Sequence, residues 1–160
     1  MLDELADAYE DARPHDPAHD DPLFSRSQFL ARTEDQACRD GFELVTARAG
    51  SMLAGFTFGF PFAAGGWWAD ASRPPEHILQ AAKFAVIELD VRPAYQGHGW
   101  GKALLSTLLS GRGEAYATLA AMPGSQAQAM YERWGWYKVG TIGGEGPVMD
   151  AMVTELAEVS

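Results

Sequence analysis

The chain has 160 residues, 47% hydrophobic and 21% charged, which fits one globular domain with its own core and excludes a disordered chain. A formal net charge of −10 argues against a surface that binds nucleic acid by neutralising phosphates. The longest apolar stretch, "SMLAGFTFGFPFAAGGWWA", is interrupted by glycines and Pro61 and makes a poor membrane span, so no membrane partner is expected.

In chain order, "LDELADAYEDA" (residues 2–12) spaces Leu2, Leu5, Ala6 and Tyr9 along one face of a helix with acids between them, and Pro14 ends it. "HDPAHDDP" is a loop by its proline and aspartate content. Its His15 and His19 have H-x-x-x-H spacing, but on a proline-broken loop a solvated surface outweighs a metal site, and no metal is expected. Residues 25–38 read as a second helix with Phe29, Leu30 and Ala37 facing inward. The strands "FELVTARA" and "SMLAGFTFGF" follow, joined by a tight turn near Gly50. A long loop, about 61–82, carries Trp67, Trp68 and the Pro74–Pro75 pair; loops of that length are usually functional or disordered. Then come a strand "FAVIELDV", a helix "GKALLSTLLSG", a strand "AYATLAAM", a helix "SQAQAMYERWG" stopped by Gly135, and strands "WYKVGTI" and "PVMDAMVTEL". The predicted order is α-α-β-β-β-α-β-α-β-β in one domain over residues 1–160, with no internal repeat. A single cysteine, Cys38, allows neither an internal disulfide nor a thiolate metal site. No cationic start leads into an apolar run, so a cytoplasmic location is expected.

The densest chemical signal is "VIELDVRPAYQGHGWGKALL": an apolar strand with two acids, then Gly97, Gly99 and Gly101 within five residues, then a helix. A helix start has unpaired backbone N–H groups and partial positive charge, and glycines before it let the backbone close around an anion. Strand, glycine turn and helix together make a pyrophosphate site. The Walker A loop does not fit, because Gly101-Lys102 is followed by Ala103. The dinucleotide fingerprint G-x-G-x-x-G does not fit either, because the spacing here is G-x-G-x-G.

The spacing that fits is Q-x-x-G-x-G-type, Gln96-Gly97-His98-Gly99-Trp100-Gly101, and on it the chain resembles the GNAT superfamily of N-acetyltransferases. The late "AMYERWGW", a helical tyrosine followed by Gly-aromatic, is similar to a second signature of that family, and the element order extends the resemblance over most of the chain. The Trp-Trp pair and the ratio of nine arginines to three lysines are similar to small actinobacterial members. The resemblance implies an α/β (α+β) GNAT fold: a mixed sheet of about six strands with helices on both faces. Two features depart from it. The chain starts directly with the first helix, so the strand that usually precedes it is either missing or was lost with a mis-set start, and the position that often holds an Asn is Gly124. The exposed edge left by the missing strand is one that a homodimer could cover.

By this resemblance the co-substrate is acetyl-CoA, held in the gap where two parallel strands splay apart. Its pantetheine arm would pair with the backbone of Leu89, Asp90 and Val91. Its pyrophosphate would sit on the amides of Gln96, Gly97, His98, Gly99, Trp100, Gly101 and Lys102, with His98 a phosphate neighbour. An ordinary glycine-rich turn is the plainer alternative.

Acetyl transfer needs a base for the amine proton and an acid for the leaving thiolate. Glu88, in a strand otherwise apolar, is the candidate base, because desolvation would raise its pKa; a structural ion pair is the alternative. Asp90 shares its face by the period of two and could bind the acceptor amine. Tyr131 matches the family's general acid; a core aromatic at i, i+3 with Trp134 is the alternative. Trp67 and Trp68 could line the acceptor site or pin their loop to the core.

The expected activity is therefore N-acetylation of a small-molecule amine. The alternatives are acetylation of a protein N-terminus or lysine, and a CoA-binding module without turnover. Residues 1–21 hold eight acids and one base, a local charge of −7, which suggests an acceptor with further positive charge if the segment borders the acceptor entrance; a solvated helix face is the alternative.

Overall fold

In the computed structural model, which describes residues 1–13, 21–144 and 146–156, the elements follow the predicted order with three short additions, one α-helical turn and the 3-10 turns Pro22–Phe24 and Pro93–Tyr95. His15, Asp16, His19, Asp20 and the predicted stop at Pro14 lie outside the described residues. The sheet has six strands in the order β1-β2-β3-β4-β6-β5 and is mixed. Among the described residues no strand precedes the first helix, so β1 stands at an edge. No helix among them is long and apolar enough to cross a membrane. The chain forms two compact units, Met1–Phe60 with Ile87–Ser110, and Pro61–Val86 with Gly111–Ser160.

In the first unit, α1 (Leu2–Ala12) forms on the predicted spacing and buries Leu5, Ala6, Ala8 and Tyr9. Its acids face arginines. Arg26 lies 2.7 Å from Asp7 and 2.8 Å from Glu10, Arg48 lies 2.9 Å from Glu4, and Arg92 lies 3.3 Å from Asp11. The Arg48 hydrogen bond holds the Glu4 carboxyl below the usual range. Helix α2 (Arg26–Gln36) is capped by the Ser25 hydroxyl, which accepts the Gln28 N–H. It turns Phe29 and Thr33 inward, while Leu30 is half-buried. Ala37, expected inside, is exposed: the helix ends at Gln36 and Ala37 is its C-cap, past the last inward turn, so Thr33 takes the position one turn after Phe29.

β1 (Glu43–Ala49) and β2 (Met52–Phe62) form the predicted hairpin, with Ala49 opposite Met52 and Gly50 at φ +63° in the turn. β2 is apolar at nearly every position because it is covered on both faces. Phe56 and Phe58 meet α1 and α2, where the Tyr9 and Phe29 rings stack at 4.2 Å. Each such ring contributes about 1.5–3 kcal/mol by burial. Gly55 faces the other way, towards α4 (Trp100–Leu109), which buries Leu104, Leu105 and Leu108. A Cβ on Gly55 would lie 2.7 Å from the Asp90 carbonyl and 3.2 Å from Leu104 Cδ1, so only glycine lets β2 approach there.

The second unit holds the start of β3 (Lys83–Val91), which runs parallel to β4 (Tyr116–Ala121) over Lys83–Ala85. β6 (Met149–Glu155) is antiparallel to β4 along its length, and β5 (Tyr137–Ile142) closes the order beside β6. Helix α5 (Gln126–Arg133) is capped by Ser125 and stopped at Gly135, φ +95°, where the Trp136 N–H bonds back to the Tyr131 carbonyl at 3.0 Å.

The long segment before β3 is shorter and more ordered than the sequence suggests. β2 runs on through Pro61 to Phe62, and Pro75 starts a single turn, α3 (Glu76–Leu79). One turn is too short for a periodic signal, which is why the pattern misses it. The segment is anchored at three places. Trp68 Nε1 donates to Thr118 Oγ1 at 3.0 Å. Ser72 and Thr141 exchange backbone and hydroxyl bonds of 2.9 and 3.0 Å. The fully buried Lys83 ammonium donates to the carbonyls of Leu79 (2.7 Å) and Ala81 (2.8 Å).

Candidate active site

β3 delivers its exit to the glycine turn through fixed backbone contacts. The Arg92 N–H bonds to the Ala54 carbonyl at 2.9 Å and its Nε to the Leu53 carbonyl at 2.7 Å. After the 3-10 turn Pro93–Tyr95, Gln96 Nε2 reaches back to the Val91 carbonyl at 2.8 Å. Gly97 (φ +78°) and Gly99 (φ +84°) take the left-handed conformation, which other residues adopt at a cost. Gly99 is the N-cap of α4, and no side chain caps that end, so the amides of Trp100, Gly101 and Lys102 are available to an anion. A Cβ built on either Gly97 or Gly99 meets nothing within 4 Å. The space in front of the turn is open, as a backbone cradle for a bulky anion requires. His98 Nδ1 lies 2.8 Å from the Gln96 carbonyl; a carbonyl only accepts, so Nδ1 carries the hydrogen. A cavity of about 400 Å³ adjoins the turn, between Val45–Ala47 of β1 and His98, Gly99, Trp100 and Leu104.

Glu88 and Asp90 share one face of β3, as the alternation predicts. One guanidinium nitrogen of Arg13 reaches both, 3.1 Å from Glu88 Oε2 and 3.4 Å from Asp90 Oδ1. Arg13 is the C-cap of α1, and its guanidinium lies 4.4 Å above the Tyr9 ring. Arg32, on α2, donates to the Tyr9 hydroxyl at 3.0 Å and stands 3.9 Å from Glu88 Oε1. The carboxylates are nearly enclosed, with 11% and 6% of their side chains exposed. Glu88 therefore stands among cations, not alone in the apolar strand that its neighbours in sequence suggest. Thr57 Oγ1 fixes the Glu88 carbonyl at 2.7 Å. Burial, then the Glu88 charge, pushes the Tyr9 hydroxyl up to about 12, against the opposing pull of Arg13 and Arg32.

Tyr131, Trp67 and Trp68 are parts of the second unit. Tyr131 is buried, with its ring centroid 5.9 Å from those of both Trp134 and Trp136. Trp68 is tied to Thr118, whose own hydroxyl bonds to the Met152 carbonyl at 2.9 Å. The Trp67 Nε1 is buried without a hydrogen-bond partner. Gly124, in the place of the expected Asn, has φ +75°, and its N–H is taken by Gln128 Oε1 at 2.8 Å. Among the described residues no group of His, Cys, Asp and Glu is arranged to hold a metal.

The family model described as acetyltransferase (GNAT) domain matches residues 44–138, from β1 through the glycine turn to the start of β5. The chain belongs to the GNAT acetyltransferases. Solved structures agree in fold with this acyltransferase. PH1933 from Pyrococcus horikoshii OT3 is 22% identical, with a TM-score of 0.68 over 98% of this chain and 91% of that one. The PaiA N-acetyltransferase from Thermoplasma acidophilum in complex with coenzyme A is 14% identical, TM-score 0.60, over 96% and 92%. An aminoglycoside 6'-N-acetyltransferase complexed with coenzyme A is 14% identical, TM-score 0.64, over 99% and 92%. No curated protein matches the chain.

The residues of this acetyltransferase that sequence reasoning missed are Tyr9, Arg13 and Arg32. A faint signal existed: Arg13 is the one base among the acids of residues 1–21, and two carboxylates on an apolar strand need a cation.

Proposed function

We propose that the chain moves an acetyl group from acetyl-CoA to the primary amine of a small acceptor, by direct attack in a ternary complex. The uncapped glycine turn at α4, open in front of Gly99, carries the reading. The amides of Gln96 to Lys102 would hold the pyrophosphate, and the backbone of Leu89, Asp90 and Val91 would pair with the pantetheine arm. That two structural neighbours were solved with coenzyme A supports the same choice.

When bound, the co-substrate supplies an activated thioester carbonyl. A C–N bond forms and the C–S bond breaks; one proton leaves nitrogen and one reaches sulfur. Glu88 is assigned the proton from nitrogen, for which it must exchange its Arg13 contact for the amine. Asp90, beside it, would help bind the amine. The Tyr131 phenol is assigned the proton for the thiolate. The buried Trp67 N–H is a donor for an acceptor, whereas the Thr118 bond gives Trp68 an anchoring role. The acidic start of the chain suggests further positive charge on the acceptor, but the arginine pairs along α1 remove much of the field behind that suggestion. The exposed single cysteine suits a cytoplasmic protein.

A protein acceptor would call for an open segment between β2 and β3, and its three anchors favour a small one. Thiol release from acetyl-CoA, measured over a panel of small amines and of peptides, tests the reading. Small amines should give turnover and peptides none. Acetyl-CoA binding without thiol release from any of them would leave a CoA-binding module and end the catalytic reading.

A further inference from the structure

We propose that Gln128 is a positioning residue for acetyl transfer: its side-chain amide, bonded to the Gly124 N–H on one side and to the buried Asp150 carboxylate on the other, sets where α5 holds the Tyr131 phenol. The inference rests on the acetyl-transfer reading and on Tyr131 as the donor of the thiolate proton.

α5 buries two side chains, and they stand one turn apart: Gln128 and Tyr131, each 8% exposed. An apolar residue is the ordinary occupant of such a position, because a buried amide needs partners for both its oxygen and its nitrogen. Gln128 has both. Its Oε1 accepts the Gly124 N–H at 2.8 Å, and its Nε2 donates to Asp150 Oδ2 at 2.7 Å. A backbone N–H only donates, so the amide has one orientation, with Oε1 towards Gly124. The anchor stands on paired backbone. Asp150 lies on β6, opposite Ala121 of β4 and Thr141 of β5. Its other oxygen meets the half-exposed Lys138 ammonium at 3.1 Å.

Apolar packing is non-directional and lets a helix slide or turn slightly on a sheet, whereas a buried bond of fixed length and angle does not. The Gln128–Asp150 bond therefore registers α5 against β6 one turn before Tyr131. One turn after it, the stop at Gly135 holds the Tyr131 carbonyl through the Trp136 N–H at 3.0 Å. The stop is local to the helix end; the amide is the tie to the sheet. A reacting group misplaced by about 1 Å can cost about 10²-fold in rate. Loss of the amide should thus appear in the chemical step and not in binding.

The test is a double-mutant cycle on thiol release from acetyl-CoA, over a panel of primary amines that includes putrescine, ethanolamine and glycinamide. Gln128→Met keeps the volume and removes both side-chain bonds. It should lower kcat about 10- to 100-fold, with amine KM and acetyl-CoA affinity by calorimetry within about twofold of wild type. In a Tyr131→Phe background no phenol is left to misplace, so the same substitution should change kcat by less than about twofold. Equal factors in the two backgrounds would mean that Gln128 serves only the fold. That result, or an unchanged kcat in Gln128→Met, overturns the proposal while acetyl transfer stands. If Tyr131→Phe alone keeps the wild-type kcat, the Tyr131 assignment fails and this proposal with it. If wild type releases no thiol with any amine of the panel, the acetyl-transfer reading fails first. If Gln128→Met does not fold, Asp150→Asn runs the same cycle. It has the same size, but its one carbonyl oxygen cannot serve both Lys138 and Gln128. It should lower kcat only where Tyr131 is present, and an unchanged kcat there overturns the proposal.

Discussion

Replacing Gly99 by valine separates backbone strain from anion binding. Gly99 has φ +84°, and a β-branched residue there costs about 1–2 kcal/mol or slightly more. No atom lies within 4 Å of the new Cβ, so the protein itself should absorb the change and stay folded, with a melting temperature lower by about 3–8 °C. The co-substrate would not absorb it. The added methyls fill the space through which a pyrophosphate must approach the α4 amides. Losing two charge-assisted bonds, each worth about 1.5–3 kcal/mol, predicts an affinity loss of about 100-fold or more. Gly50→Val is the matched control: φ is +63°, nothing lies within 4 Å, and the residue sits in the β1–β2 turn outside the cavity lining. Both variants should lose similar stability in denaturant titrations. In calorimetry with acetyl-CoA only Gly99→Val should lose affinity. Equal affinities for the two variants would refute the pyrophosphate assignment, because strain alone would then account for everything Gly99 does.

Glu88→Gln should lower turnover by about 10²–10⁴-fold with little change in acetyl-CoA affinity; near-normal turnover at neutral pH would move the base elsewhere. Lys83→Met should cost about 2–4 kcal/mol in urea unfolding, since the Leu79 and Ala81 carbonyls lose a buried charged donor; a cost below about 1 kcal/mol would mean that those carbonyls find other partners. The Tyr9 hydroxyl, raised from about 10 unfolded to about 12 folded, should make stability full below pH 10 and lose up to about 3 kcal/mol between pH 10 and 12, because the unfolded chain releases the proton first. Tyr9→Phe should abolish that alkaline loss, and an identical pH profile in the variant would contradict it.

The element order and the uncapped glycine turn were legible in the sequence because both depend on local rules. Leu5 and Tyr9 at helical spacing, the hairpin at Gly50, the stop at Gly135 and the glycines before α4 each act within a few residues of their own position, through periodicity, capping or permitted φ. The pairing of Glu88 and Asp90 on one face was legible for the same reason. What faces them was not. Arg13 is 75 residues from Glu88 in the chain, and Arg32 stands near the same carboxylate from a separate helix. No local pattern encodes a partner at that separation; it is fixed by how α1 and α2 lie on β2 through Tyr9, Phe29, Phe56 and Phe58. The anchoring of Trp68 by Thr118 and of Lys83 by two carbonyls belongs to the same class. The sequence by itself determined that β3 carries two acids towards a glycine turn at a helix start. Only the tertiary structure decided that those acids would meet arginines, because burial of a charge demands a counter-charge but does not say from which helix it must come.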